Sequence, residues 1–206
     1  MSSHPKIHLT LMRHGRSRAD DEKVHEGRYD SPLTEVGQQQ AQRRADDWLV
    51  RGITFDVIIA SSLQRAHRTA QIVADTLKIP LEIDPDWMEF NNGALAGLSR
   101  EEADRLYPLP DFRNPYERFW GNGESELGFH TRVSGALERL MQRGVGRYLV
   151  VAHGGSLNVA LRVMAGSPPP IHLAGMWYAF GDTATASLDY YPHAHQWVLH
   201  QLNCGM

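Results

Sequence analysis

The apolar run at residues 9–12 leads directly into Arg13, His14, Gly15, Arg16 and Arg18. Further along, "SSLQRAHRTA" places Arg65 just after a second apolar run, and "VVAHGGS" places His153 before Gly154 and Gly155 after a third. Guanidinium forks grip phosphate oxygens two at a time, and an imidazole beside them can attack phosphorus. Glycines let backbone N–H groups approach a ligand, and a helix opening after Gly154 would add its positive end. Such residues want an anion with several oxygens, and phosphate fits best. Each charge-assisted hydrogen bond contributes roughly 1.5–3 kcal/mol. Arg13 and Arg65 would hold the phosphate, with Gly15 and Gly154 letting backbone N–H groups approach it, while His14 attacks. Neighbouring cations should lower the pKa of His14 and keep it a neutral nucleophile. Taken singly, each fragment reads more plainly as a structural histidine, a surface arginine or a glycine turn. Together, each after an apolar strand, they point to one shared cavity.

That reading needs elements that bring the three fragments together. Residues 6–12 read as a buried strand, and 33–52 as a helix with Ala41, Ala45, Trp48 and Leu49 on one face and Gly52 as its stop. Residues 56–60 form a second buried strand. Residues 61–77 follow as a helix, with Ala66, Ala70, Val73, Ala74 and Leu77 at helical spacing. A short strand at 81–83, a capped helix at 99–107 and a loop at 108–123 come next. Phe129, Val133, Ala136, Leu137 and Leu140 mark another helix. Residues 147–153 read as a strand, 156–166 as a helix buried all round, and 185–191 and 196–202 as two late strands. Strands alternating with helices predict a three-layer α/β/α sandwich with a mostly parallel central sheet, one domain over residues 1–206. In such a sheet the carboxyl ends of the strands share one edge, where ligands bind.

The bulk composition agrees. The chain has 206 residues, 42% apolar and 22% charged, with a net charge of −3. That suits a globular fold with a real core and argues against disorder or broad nucleic-acid binding. No apolar run approaches the ~18 residues of a membrane span, and the N-terminus lacks the apolar core of a signal peptide. Cys204 is the single cysteine, so no internal disulfide forms, and a cytoplasmic setting is expected.

The residues then resemble a known family. "LMRHGRS" resembles the signature of the histidine phosphatase superfamily, the phosphoglycerate-mutase-like fold, in which Arg-His-Gly supplies the phosphorylated histidine. "EGRYDSPLTEVGQQQA" resembles the segment that follows it. "IIASSLQRAHRTAQIVA" resembles its second arginine motif, and "VVAHGGSLNVALRVMAG" its second histidine motif. "EFNNGALAGL" is similar to the family's acid loop, which implies that Glu89 is the general acid and base. The residues alone leave Glu82, Asp84 and Asp86 equally open. The resemblance implies a metal-independent, cofactor-free phosphomonoesterase working through phosphohistidine on His14, with Arg13, Arg65 and His153 holding the equatorial oxygens and Ser17 in the same binding set.

Two positions depart from the family pattern. Arg16 stands where Glu or Gln is common, and Asp20 stands where many members carry a phosphate-binding Asn. An ionised Asp20 would repel a dianion unless Arg16, Arg18 or Arg28 pairs with it. The span from Glu89 to His153 is a compact 64 residues, which resembles the phosphatase branch. "GALAGL" resembles the mutase form and keeps phosphoglycerate-mutase-type transfer as the alternative. Phe112, Tyr116, Phe119 and Trp120 are expected to roof the pocket and read a leaving group with apolar surface. The expected partner is a small-molecule phosphomonoester, nucleotide-like or cobalamin-precursor-like among the choices, with no nucleic acid or membrane. A homodimer is a further expectation that no residue carries. A non-catalytic phospholigand-binding module and a metal site at His193, His195 and His200 are the rivals.

Overall fold

The computed structural model describes residues 5–169, 175–203 and 205; Cys204 lies outside them. Six strands form one sheet. They are β1 (Ile7–Arg13), β2 (Val57–Ala60), β3 (Leu81–Ile83), β4 (Gly146–Ala152), β5 (Thr185–Tyr191) and β6 (Gln196–Asn203). The helices are α1 (Arg18–Glu22), α2 (Glu35–Val50), α3 (Gln64–Leu77), α4 (Arg100–Leu106), α5 (Glu126–Met141) and α6 (Gly154–Met164). The strand order is β3-β2-β4-β1-β5-β6. β1, β2, β3 and β4 pair in parallel, and β5 runs antiparallel to both β1 and β6.

The strand pleat sorts the core into two halves. Leu9, Leu11, Val150 and Ala152 join residues of α5 and α6 on one face. Met12, Ile58, Leu149 and Val151 join residues of α2 and α3 on the other. Both faces of β2 and β4 are covered, so they read as unbroken apolar runs, whereas β1 sets half-buried His8 and Thr10 between its buried residues. The expected three layers and mostly parallel sheet are found.

Local differences have local causes. Leu49 is 57% exposed, because the buried stripe of α2 runs through Gly37, Ala41, Ala45 and Trp48. The five-residue α1 has no apolar period to announce it, and its Ser17–Asp20 capping box closes its start. His193 and His195 sit in the turn between β5 and β6 rather than on one strand face. There His195 meets the Tyr190 hydroxyl, while His200 pairs with Asp189 at 2.8 Å, so the three histidines do not converge. Among the described residues no helix is long and apolar enough to cross a membrane.

Candidate active site

The sheet order makes neighbours of the three fragments. β4 lies between β1 and β2, with Arg13 opposite Ala152 and Ala60 opposite Val151. The residues just past that register pair are His14 and His153. Their rings lie 5.1 Å apart, and the His14 N–H donates to the Ala152 carbonyl at 3.0 Å. β2 ends beside them and turns into α3, whose first turn carries Arg65. The sheet thus brings the two imidazoles together and sets Arg65 against His14, while of the four only Arg13 and His14 line the cavity, with Arg65 and His153 buried behind it.

The His14 tautomer follows from its partners. Nδ1 lies 2.7 Å from the Gly15 carbonyl, which can only accept, so Nδ1 carries the proton. Nε2 is left with a lone pair, and the Arg65 Nε–H donates to it at 3.3 Å. Burial, then Arg65 and Arg13, holds the His14 pKa well below the ordinary imidazole range. The sequence points to the neighbouring cations, yet burial is the larger cause. His153 is held neutral the same way, chiefly by burial and then by Arg65. Its Nε2 meets Ser61 Oγ at 2.8 Å, and its buried Nδ1 has no hydrogen-bond partner among the described residues.

Both arginines are heavily tied. Arg13 Nη1 donates to the Phe180 carbonyl at 3.1 Å and faces Asp182 at 3.2 Å; Nη2 lies 3.7 Å from Asp20. Arg65 is fully buried and donates to the carbonyls of Tyr29 at 3.0 Å and Gly27 at 2.8 Å. Burial lowers its pKa, partly offset by Glu26 and Glu89.

Glu89 reaches the same cavity from the loop after β3. Its two oxygens accept from the Phe90 and Gly155 N–H groups, each at 2.8 Å. A Cβ at Gly155 would overlap this carboxylate, so that glycine exists for Glu89 rather than for a ligand. Arg132 of α5 clasps the loop, donating to the carbonyls of Asp86, Met88 and Glu89 at 2.7, 3.0 and 3.2 Å. Glu124 holds Arg132 in turn at 2.6 Å. Nothing in sequence spacing marks Arg132, since it acts on backbone carbonyls 43 to 46 residues away. Arg132→Ala should cut turnover about 10- to 100-fold by letting Glu89 drift, with the loss greatest for poor leaving groups. Rates for an alkyl and an aryl phosphate side by side would check it; equal losses would point to general destabilisation instead.

Several expected ligands are placed elsewhere. Ser17 is fully buried; its hydroxyl donates to Asp20 at 2.9 Å and also meets Glu26, so it belongs to the α1 cap and not to the cavity wall. The Gly15 N–H donates to Thr69 Oγ1 at 3.1 Å, and a Cβ there would strike the Gly37 carbonyl. Gly15 is thus a close-packing glycine, whereas Gly154 does line the cavity. Asp20 faces Arg13 rather than Arg16, Arg18 or Arg28, which pair with Asp21, Glu22 and Glu124. Phe112 and Tyr116 are exposed at 63% and 72%, and Trp120 packs on Tyr107. Of the four aromatics expected as a roof, Phe119 alone lines the cavity.

The cavity measures about 570 Å³ and is lined by His14, Arg13, Glu26, Glu89 and Gly154 beside apolar walls. Phe90, Leu95, Phe119, Phe129, Val159 and Phe180 supply those walls. Glu26 was not singled out from the sequence. It lies 3.2 Å from Arg65 Nε and 3.8 Å from His14 Nε2.

Known proteins carry the same architecture. A solved structure, the α-ribazole phosphatase from Shigella flexneri, superposes with a TM-score of 0.83 at 25% identity, covering 96% of each chain. The adenosylcobalamin/α-ribazole phosphatase of Escherichia coli K12 is 29% identical over 84% of both chains. A chain named probable phosphoglycerate mutase GpmB, from Cronobacter sakazakii, is 34% identical over 79% of this chain and 76% of its own. The family profile described as histidine phosphatase superfamily (branch 1) matches residues 9–204. Adjacent strand-end histidines, a buried arginine and matches along nearly the whole length thus agree: the chain belongs to branch 1 of the histidine phosphatase superfamily.

Proposed function

We propose that this chain hydrolyses phosphomonoesters through a phosphohistidine on His14. The observation that carries this reading is the His14 tautomer, with Nδ1–H given to the Gly15 carbonyl and the Nε2 lone pair left beside the Arg65 Nε–H. Nε2 attacks phosphorus in line, and the ester P–O bond breaks. Glu89 donates its proton to the departing alkoxide. Water then attacks the phosphohistidine, Glu89 takes the water's proton, and the N–P bond returns its electron pair to Nε2. Arg13, Arg65 and the Nδ1 of His153 stabilise the equatorial oxygens, where charge is spread in the transition state.

The mutase alternative is favoured by the 34% identity to the relative of that name. The cavity supports hydrolysis instead. A glycerate is small and charged, while about 570 Å³ lined mainly by apolar side chains suits an alcohol with a larger apolar body. The relatives named for α-ribazole phosphate lend the same support. A panel of metabolite monoesters, with interconversion of 2- and 3-phosphoglycerate run beside it, separates the readings. Hydrolysis of bulky apolar monoesters is expected to exceed hydrolysis of either phosphoglycerate about tenfold or more in kcat/KM. Interconversion outrunning all hydrolysis would reverse the assignment.

A further inference from the structure

A carboxyl group already stands beside the attacking nitrogen. The Glu26 carboxylate shares the Nε–H edge of Arg65 with His14 Nε2, at 3.2 Å, and its other oxygen lies 3.8 Å from that nitrogen. A phosphoryl group transferring to His14 Nε2 must bring its oxygens into this same space. Nη1 and Nη2 of Arg65 each already donate to a backbone carbonyl, those of Tyr29 and Gly27. Arg13 likewise faces Asp182 and Asp20. A dianion entering beside an ionised Glu26 would put three negative charges against two guanidinium groups that are already paired.

We propose that Glu26 is a proton-operated gate of the phosphoryl subsite. Its carboxylate takes the Arg65 edge, and an entering oxyanion is accepted by uptake of one proton from solvent onto that carboxyl, which then donates a hydrogen bond to the anion. The proposal rests on the oxyanion reading of this pocket and adds to it a charge requirement.

The surroundings favour such a proton. Burial raises the Glu26 carboxyl above its ordinary value, and Asp20 adds to this, while Arg65, the Ser17 hydroxyl and Arg13 pull the other way. The groups facing Glu26 come from several elements. Arg13 and His14 lie at the end of β1, Asp20 on α1 with Lys23 at its end, Arg65 on α3 and Arg100 on α4. Glu89 and His25 share the larger cavity with it. An incoming dianion is one more negative neighbour, and linkage requires it to raise the carboxyl further.

Sulfate is the probe, because it stays a dianion across the range tested and cannot be turned over. Its affinity for the wild-type chain is expected to weaken about tenfold per pH unit above the titration point of Glu26. Calorimetry in buffers of different ionisation heat should count about one proton taken up per sulfate. Glu26→Gln keeps the shape without the charge, so it should bind sulfate with the proton uptake lost and with higher affinity at alkaline pH. A Glu89→Gln variant should retain the uptake. Wild-type affinity that ignores pH, or uptake persisting in Glu26→Gln, overturns the gate while leaving the hydrolase reading standing. Sulfate binding to neither protein at any pH would instead remove the oxyanion pocket, and both readings with it.

Discussion

Replacing His14 by alanine is expected to lower kcat/KM by on the order of 10⁴-fold or more. It should also abolish an acid-labile, base-stable phosphoenzyme. Among the described residues no other imidazole sits at the His14 position. His153 is the near neighbour, at 5.1 Å between ring centres, but its Nε2 is engaged with Ser61. The wild-type nucleophile should stay neutral in mildly acidic solution, because burial and then Arg65 and Arg13 hold its pKa down. A depressed imidazole pKa means protonation, and loss of the attacking lone pair, begins below the ordinary range near pH 6.5 rather than at it. Labelling with a radioactive monoester, followed by acid and base quenches, reads the intermediate directly. Wild-type turnover by His14→Ala would contradict the assignment.

The second large effect belongs to Glu89. Glu89→Ala should slow transfer from alkyl phosphates about 10²- to 10⁴-fold, because their alkoxides need a proton as they leave. Transfer from an aryl phosphate with an acidic phenol should fall far less. The phosphoenzyme would then accumulate, since no base remains to activate water. A burst of phenol with slow steady-state release is the expected trace. Loss of equal size for both leaving groups, without a burst, would mean that the alanine merely disturbed the Gly155 and Phe90 amides that hold this carboxylate.

Much of this was legible in the sequence because strand and helix periods are local signals. The buried strands around the site are short apolar runs, and each ends at a residue of different chemistry, so Arg13, His14, Arg65 and His153 stand out. Glu89 was legible through family resemblance alone; an acidic residue in a loop carries no periodic mark. Glu26 and Arg132 were hidden for a stronger reason. Their roles depend on contacts with His14, Arg65 and the Met88 and Glu89 carbonyls that exist only once separate loops have met. Ser17 and Gly15 illustrate the converse. Their residue types suit phosphate, yet Ser17 caps α1 and Gly15 clears the Gly37 carbonyl, because local backbone needs claimed them first.

The His14 amide is bonded to Ala152 across the middle of a six-stranded sheet, whereas Glu89 hangs from a loop clasped by one guanidinium and one helix-end amide. Amide exchange at the former demands rupture of the sheet centre, while the latter can open in small, cheap fluctuations. On the proposed mechanism this sets an expected exit order: opening of the Glu89 loop would let the alcohol diffuse away while the phosphorylated imidazole stays clamped, awaiting water.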